Sequence, residues 1–208
     1  MSERADRPVR ERLLDATAAV TVEEGWASVT MAKVAGLAGV SRQTVYNEYG
    51  AKSALGQAMV LRELERFLAV VGHELDIHDD LVEAIRSAAE QTLLLARSNP
   101  LLNRMLASAH NVSAGGPGAD NELLPFLTTD AQPLIAAAKD VISQRLARFP
   151  DPGISPARLD AAVDAIVRLV LSHVMQPVGE PARTADDLAW IAGRVLARDV
   201  SSVVGPDL

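Results

Sequence analysis

Residues 41 to 47 read Ser-Arg-Gln-Thr-Val-Tyr-Asn, and every side chain but Val45 carries a hydrogen-bonding group. Arginine, glutamine and asparagine can each grip a base edge with two parallel hydrogen bonds, and hydroxyls reach phosphate oxygens. Wound as a helix, the segment puts Val45 and Tyr49 on an apolar side and Arg42, Gln43, Thr44, Tyr46 and Asn47 on a polar one. That polar side suits a DNA groove. Arg42, Gln43, Thr44 and Asn47 are the candidate base or groove contacts, and Thr30, Ser41, Tyr46 and Lys52 the candidate phosphate contacts.

The neighbouring elements must hold this helix. Thr30 is placed as an N-cap for a helix from Met31 to Ala38, in which Val34, Leu37 and Ala38 recur at helical spacing as the inner face. Gly39 stands where the chain needs a left-handed residue to turn, and Ser41 can cap the reading helix from Arg42 to about Glu48. Upstream, a helix is expected from about Val9 to Glu24, with Leu13, Leu14, Ala16, Thr17, Val20 and Val22 inward. Gly25 closes it, and Trp26 plugs a small three-helix core. Downstream, Lys52 opens a long helix to about Val71, whose first N–H groups and dipole favour an anion such as phosphate.

This stretch resembles the helix-turn-helix of TetR-family transcriptional repressors. The likeness rests on Val34-Ala35, Ala38-Gly39-Val40-Ser41, Val45-Tyr46, Tyr49, and Lys52 with Leu55. Leu13-Leu14-Asp15-Ala16 and Glu23-Glu24-Gly25-Trp26 match the first helix and its ending. Three positions depart from the pattern: Thr21 replaces a core phenylalanine, Gly36 a longer polar residue and Glu48 a histidine or tyrosine. The resemblance implies a two-fold dimer on a palindromic operator, with a small ligand in the body changing the spacing of the heads through the fourth helix.

Hydrophobic residues make up 49% of the 208 and aromatics only 3%, so the core must be aliphatic, which favours packed helices. With no cysteine, disulfides, thiolate metal sites and cysteine nucleophiles are excluded. No secretion signal or membrane span is legible, so the expected location is the cytoplasm. The net charge of −7 is uneven: residues 1 to 56 hold seven basic and seven acidic side chains, so the remainder carries the whole excess. An acidic body beside a neutral head would orient the head toward DNA. Arg4, Arg7, Arg10 and Arg12 form a basic arm able to add phosphate or minor-groove contacts.

Beyond the head, helices are expected over Leu81 to Arg97, Leu101 to His110, Gln132 to Phe149, Ser155 to near Pro177, and from Thr184, as N-cap, to about Val200, with a turn or two at Glu122 to Leu127. The fold class is therefore all-α: a helix-turn-helix domain over 1–51 and a larger ligand-binding and dimerisation domain over 52–208. The last two helices are apolar over more than one stripe, which two copies could cover in a homodimer. An aliphatic cavity in the body would suit a fatty-acid-like effector. Its candidate lining is Leu94, Asn103, Met105, Leu106, His110, Phe126, Ala138, Ile142, Val170 and His173, with Asn103, His110 and His173 as polar anchors.

His73 and His78 are five apart and do not share a helix face, so the segment to Asp80 reads as an inter-helix joint, and no metal or cofactor is expected. No nucleophile elbow or nucleotide loop occurs, so no catalysis is expected. The competing class is a helical adaptor that binds only protein, which leaves the polar face of 42–47 without a purpose.

Overall fold

A computed structural model describes residues 7–113, 132–149 and 155–196. They form nine α-helices and one 3-10 turn, with no strand among them. These are α1 (Val9–Glu24), α2 (Met31–Ala38), α3 (Arg42–Tyr49), α4 (Lys52–Ile77), α5 (Leu81–Ser98), α6 (Pro100–Ser113), α7 (Gln132–Leu146), α8 (Pro156–Met175) and α9 (Pro181–Leu196). The chain divides into two compact units, one of residues 1–66 with 98–131 and one of 67–97 with 132–208.

In the first unit the helix ends are set locally. Thr30 accepts the Lys33 N–H at 3.1 Å and Ser41 accepts the Thr44 N–H at 3.1 Å, each satisfying an orphan donor of a first turn. Between them Gly39 adopts φ 66°. Its N–H reaches the Gly36 carbonyl at 3.3 Å and that of Val40 the Ala35 carbonyl at 3.0 Å, the paired bonds of a Schellman ending. Arg12 of α1 donates to the carbonyls of Ala38 and Gly39, so a cation closes the same turn from the side.

Leu13, Val34, Val45, Leu55 and Met59 are wholly buried in this unit, with Trp26 and Val29 beside them. Leu101 and Met105 of α6 belong to the same core. Thr21, where an aromatic residue was the pattern, is also buried. Its hydroxyl donates to the Thr17 carbonyl at 2.8 Å, so it carries no unsatisfied group. Leu37 departs from expectation, being 61% exposed. Met31, Val34, Ala35 and Ala38 fill the inner arc, and at about 100° per residue Leu37 falls beyond its edge.

The second unit is built on smaller clusters. Leu75, Ala84 and Phe149 form one with Ile142 and Leu146; Ala89, Ala185 and Leu188 form another with Leu169 and Val170; and Ala162, Ala192 and Leu196 a third. Two arginines hold the end of α4. Arg145 donates to the Gly72 carbonyl at 3.1 Å and Arg148 to that of Leu75 at 3.1 Å, and both reach the Asp76 carboxylate. These cations sit at the negative end of the helix dipole, which explains why α4 continues to Ile77 rather than stopping near Val71. The expected joint is accordingly shorter, and His73 lies within the helix.

Other boundaries also move. α6 starts at Pro100, with Asn99 accepting the Leu102 N–H at 2.9 Å. α7 ends at Leu146, short of Phe149. α9 starts at Pro181, so Thr184 lies in its first turn and donates to the Val178 carbonyl at 3.4 Å instead of capping. The turn expected at Glu122 to Leu127 lies outside the described residues.

Candidate nucleic-acid interface

The caps and the Schellman turn fix α3 by its backbone, and Val45, wholly buried, anchors it to the core. Burying a valine side chain contributes on the order of 1.5 kcal/mol. Everything opposite Val45 is polar: Arg42, Gln43, Tyr46 and Asn47 are exposed and Thr44 half-buried. The exposed side chains are paired along the helix at i and i+4. Arg42 donates to the Tyr46 hydroxyl at 3.2 Å and stacks 5.4 Å from its ring centroid. Gln43 Nε2 donates to Asn47 Oδ1 at 2.9 Å. Ser41 and Thr44 share a hydroxyl–hydroxyl bond of 2.9 Å. The structure thus brings Ser41, Arg42, Gln43, Thr44, Tyr46 and Asn47 onto one short helix, with the side-chain rotamers already restricted.

Several other cations of the unit are engaged by protein partners. Lys52 Nζ donates to the Trp26 carbonyl at 2.9 Å and lies 4.8 Å from the Trp26 ring centroid, so it ties α4 to the 3-10 turn (Trp26–Ser28). Of the basic arm, Arg7 pairs with Glu11 and Asp15, Arg12 closes the α2–α3 turn and Arg10 pairs with Glu48 at 3.2 Å. Arg4 lies outside the described residues. The Glu48 charge is thus balanced by Arg10, which also stacks on Tyr49 at 5.3 Å. Burial pushes the Tyr49 phenol above its ordinary pKa, and the positive charge of Arg10 partly offsets this.

The candidate effector residues are distributed. Met105 sits in the core of the first unit and Leu106 is buried on the same helix, with Asn103 exposed. In the second unit Ile142 packs beside Leu75 and Phe149, Val170 beside Leu188, Ala138 is half-buried and Leu94 is 43% exposed. His173 lines a cleft with Leu93, Ala96, Arg97, Pro177, Val178, Pro181 and Thr184, about 10 Å³ in volume, roughly the room for a single water. Phe126 and the His110 side chain lie outside the described residues. Among the described residues no group of three or more histidine or carboxylate side chains is arranged to hold a metal. No described helix is long and apolar enough to cross a membrane.

One exposed residue had not been singled out as a contact. Trp190 of α9 is 65% exposed, with Arg194 5.5 Å from its ring centroid. An aromatic among charged neighbours, Asp186, Asp187 and Arg194, was the available signal.

Comparison with known proteins places both parts of the chain. The family described as "Bacterial regulatory proteins, tetR family" matches residues 13–59, and "Bacterial Tetracyclin repressor, C-terminal domain" matches 80–194. The chain is 34% identical over 185 residues to the HTH-type transcriptional regulator AlkX of Mycobacterium tuberculosis, covering 87% of this chain and 82% of that one. The crystal structure of TetR family repressor AlkX from Dietzia sp. strain DQ12-45-1b, implicated in biodegradation of n-alkanes, superposes with a TM-score of 0.68 at 26% identity, over 89% of this chain and 94% of that one. SmeT, the repressor of the Stenotrophomonas maltophilia multidrug efflux pump SmeDEF, shares the fold at TM-score 0.60 and 20% identity, over 97% and 96% of the two chains.

Proposed function

This chain belongs to the TetR family of bacterial transcriptional regulators, and on that premise we propose that it is a homodimeric repressor released from a palindromic operator by an aliphatic, fatty-acid-like effector. The observation that carries the DNA half of the reading is the solvent face of α3. Four exposed side chains able to bond bases or phosphates stand on a helix whose start, end and inner face are all fixed.

In this reading α3 enters the major groove, where Arg42, Gln43, Thr44 and Asn47 meet base edges, while Thr30, Ser41 and Tyr46 meet phosphates. Lys52 has three donors, and with Trp26 and Ala27 carbonyls as partners it can still direct one to a phosphate from the start of α4. Two copies join through α8 and α9, covering Trp190 and Val195, and place two reading helices about one DNA turn, roughly 34 Å, apart. Such a protein works in the cytoplasm, where its operator is.

The effector half rests on the aliphatic composition of the body and on the alkane context stated for the Dietzia relative. His173 stands at the cleft as a polar partner for the acid end of an aliphatic chain, beside Arg97, which donates to the Gly179 carbonyl and pairs with Glu180 at 3.8 Å. A cleft of about 10 Å³ admits no such chain as it stands, so binding opens it. Release then follows if the effector favours a dimer whose heads are spaced wrongly for the operator.

Fluorescence anisotropy with DNA from upstream of its own gene, against scrambled DNA at two salt concentrations, tests the DNA half. Preferred, salt-weakened binding that drops in Tyr46→Ala supports it; equal or absent binding to both DNAs overturns it in favour of a protein-binding adaptor. Thermal shift with long-chain fatty acids tests the effector, and a flat response together with no co-purified lipid sinks it.

A further inference from the structure

The two amides of α3 are bonded to each other, and this limits what they can read. Gln43 gives one Nε2 hydrogen to Asn47 Oδ1 at 2.9 Å. Gln43 retains its Oε1 acceptor and a second N–H. Asn47, its oxygen engaged, retains two N–H donors. One member therefore presents a donor beside an acceptor, and the other presents donors.

Resting on the operator-binding reading above, we propose that Gln43 and Asn47 act as one coupled reader. Gln43 takes an adenine in each half-site, and Asn47 both orients it and takes a neighbouring base that offers acceptors. In the major groove adenine presents the N6 donor beside the N7 acceptor, the complement of what Gln43 has left. Guanine presents two acceptors, O6 and N7, and thymine one, O4; either complements Asn47. Cytosine, whose major-groove edge offers only a donor, is rejected by the Asn47 side.

The physical gain is orientation. A free glutamine amide rotates, and its two ends exchange roles at a base edge. The Asn47 bond makes the two amides turn together, and in the setting seen here Gln43 is the donor, so less rotamer freedom is lost on binding than by two free amides. Both residues are solvent-exposed on a helix of eight residues, and neither contributes to the core, so substitution leaves the fold intact.

The test is selection of double-stranded DNA from a randomised library by the full-length protein, sequencing what each variant binds. The wild type is expected to enrich a palindrome with adenine at one symmetric position per half-site and guanine or thymine beside it. Gln43→Glu, which offers only acceptors, is expected to replace that adenine with cytosine. Asn47→Asp still accepts from Gln43 but has no donors, so it keeps the adenine and changes only the neighbour. Asn47→Ala loses the orientation as well and blurs both positions at least fivefold. A palindrome whose base preferences are untouched by Gln43→Glu, or an Asn47→Asp variant that loses the adenine as fully as Asn47→Ala, overturns the coupled reader and leaves the regulator reading standing. No enrichment by the wild type overturns both.

Discussion

Two helices of this protein expose faces of opposite character. α3 displays Arg42, Gln43, Tyr46 and Asn47, their polar groups already bonded to one another; α9 displays Trp190 and Val195, 65% and 47% exposed. A polar face held in fixed rotamers loses little entropy on meeting a polar groove. An indole left in water gains only when another apolar surface covers it. In the reading proposed above the two faces meet different partners, DNA for α3 and a second copy for α9.

The largest way to break that contrast is Trp190→Glu. A buried tryptophan at a two-fold interface counts twice, at about 2 kcal/mol each, so dimer dissociation should rise roughly a thousandfold. Analytical ultracentrifugation is the measurement, and an unchanged dimer places the interface elsewhere. Next, Arg42→Ala should weaken operator binding by about tenfold to a hundredfold, as for the loss of a bidentate base contact, with no change in sedimentation.

Glu48→Gln should act in the opposite direction. It frees Arg10, now 3.2 Å from that carboxylate, for phosphate. Affinity should rise about threefold to tenfold with a steeper salt dependence, while stability hardly moves, since an exposed pair contributes about 0–1 kcal/mol. A loss of affinity would mean that Arg10 positions Tyr49 rather than standing in reserve.

Two glycine substitutions sharpen the comparison inside the helices. A Cβ at Gly36 of α2 meets nothing within 4 Å. Gly36→Ala should therefore raise stability by about 1 kcal/mol through helix propensity alone. At Gly72 of α4 a Cβ would stand 2.7 Å from the Arg145 guanidinium. That propensity gain is there outweighed by displacing charge-assisted bonds to Gly72 and Asp76, for a net loss of about 1 kcal/mol. Opposite shifts in thermal midpoint are the expected result; parallel shifts would mean that Arg145 swings aside at no cost.

Sequence by itself determined the turn and its flanks. Thr30, Gly39 and Ser41 act on partners no more than five residues away, so their roles follow from residue type and spacing. α1, α2 and α3 begin and end within a residue of where the pattern puts them. Tertiary structure decided what distance along the chain conceals. Met105, a candidate lining residue for an effector, belongs to the core that includes Leu13 of α1, a membership that its place on α6 does not reveal. Lys52, proposed to reach a phosphate, also donates to carbonyls 26 and 25 residues before it. The end of α4 is set by arginines more than seventy residues later. Helix caps are local interactions, whereas core membership and the partners of long cations depend on which helices meet, and no spacing rule encodes that.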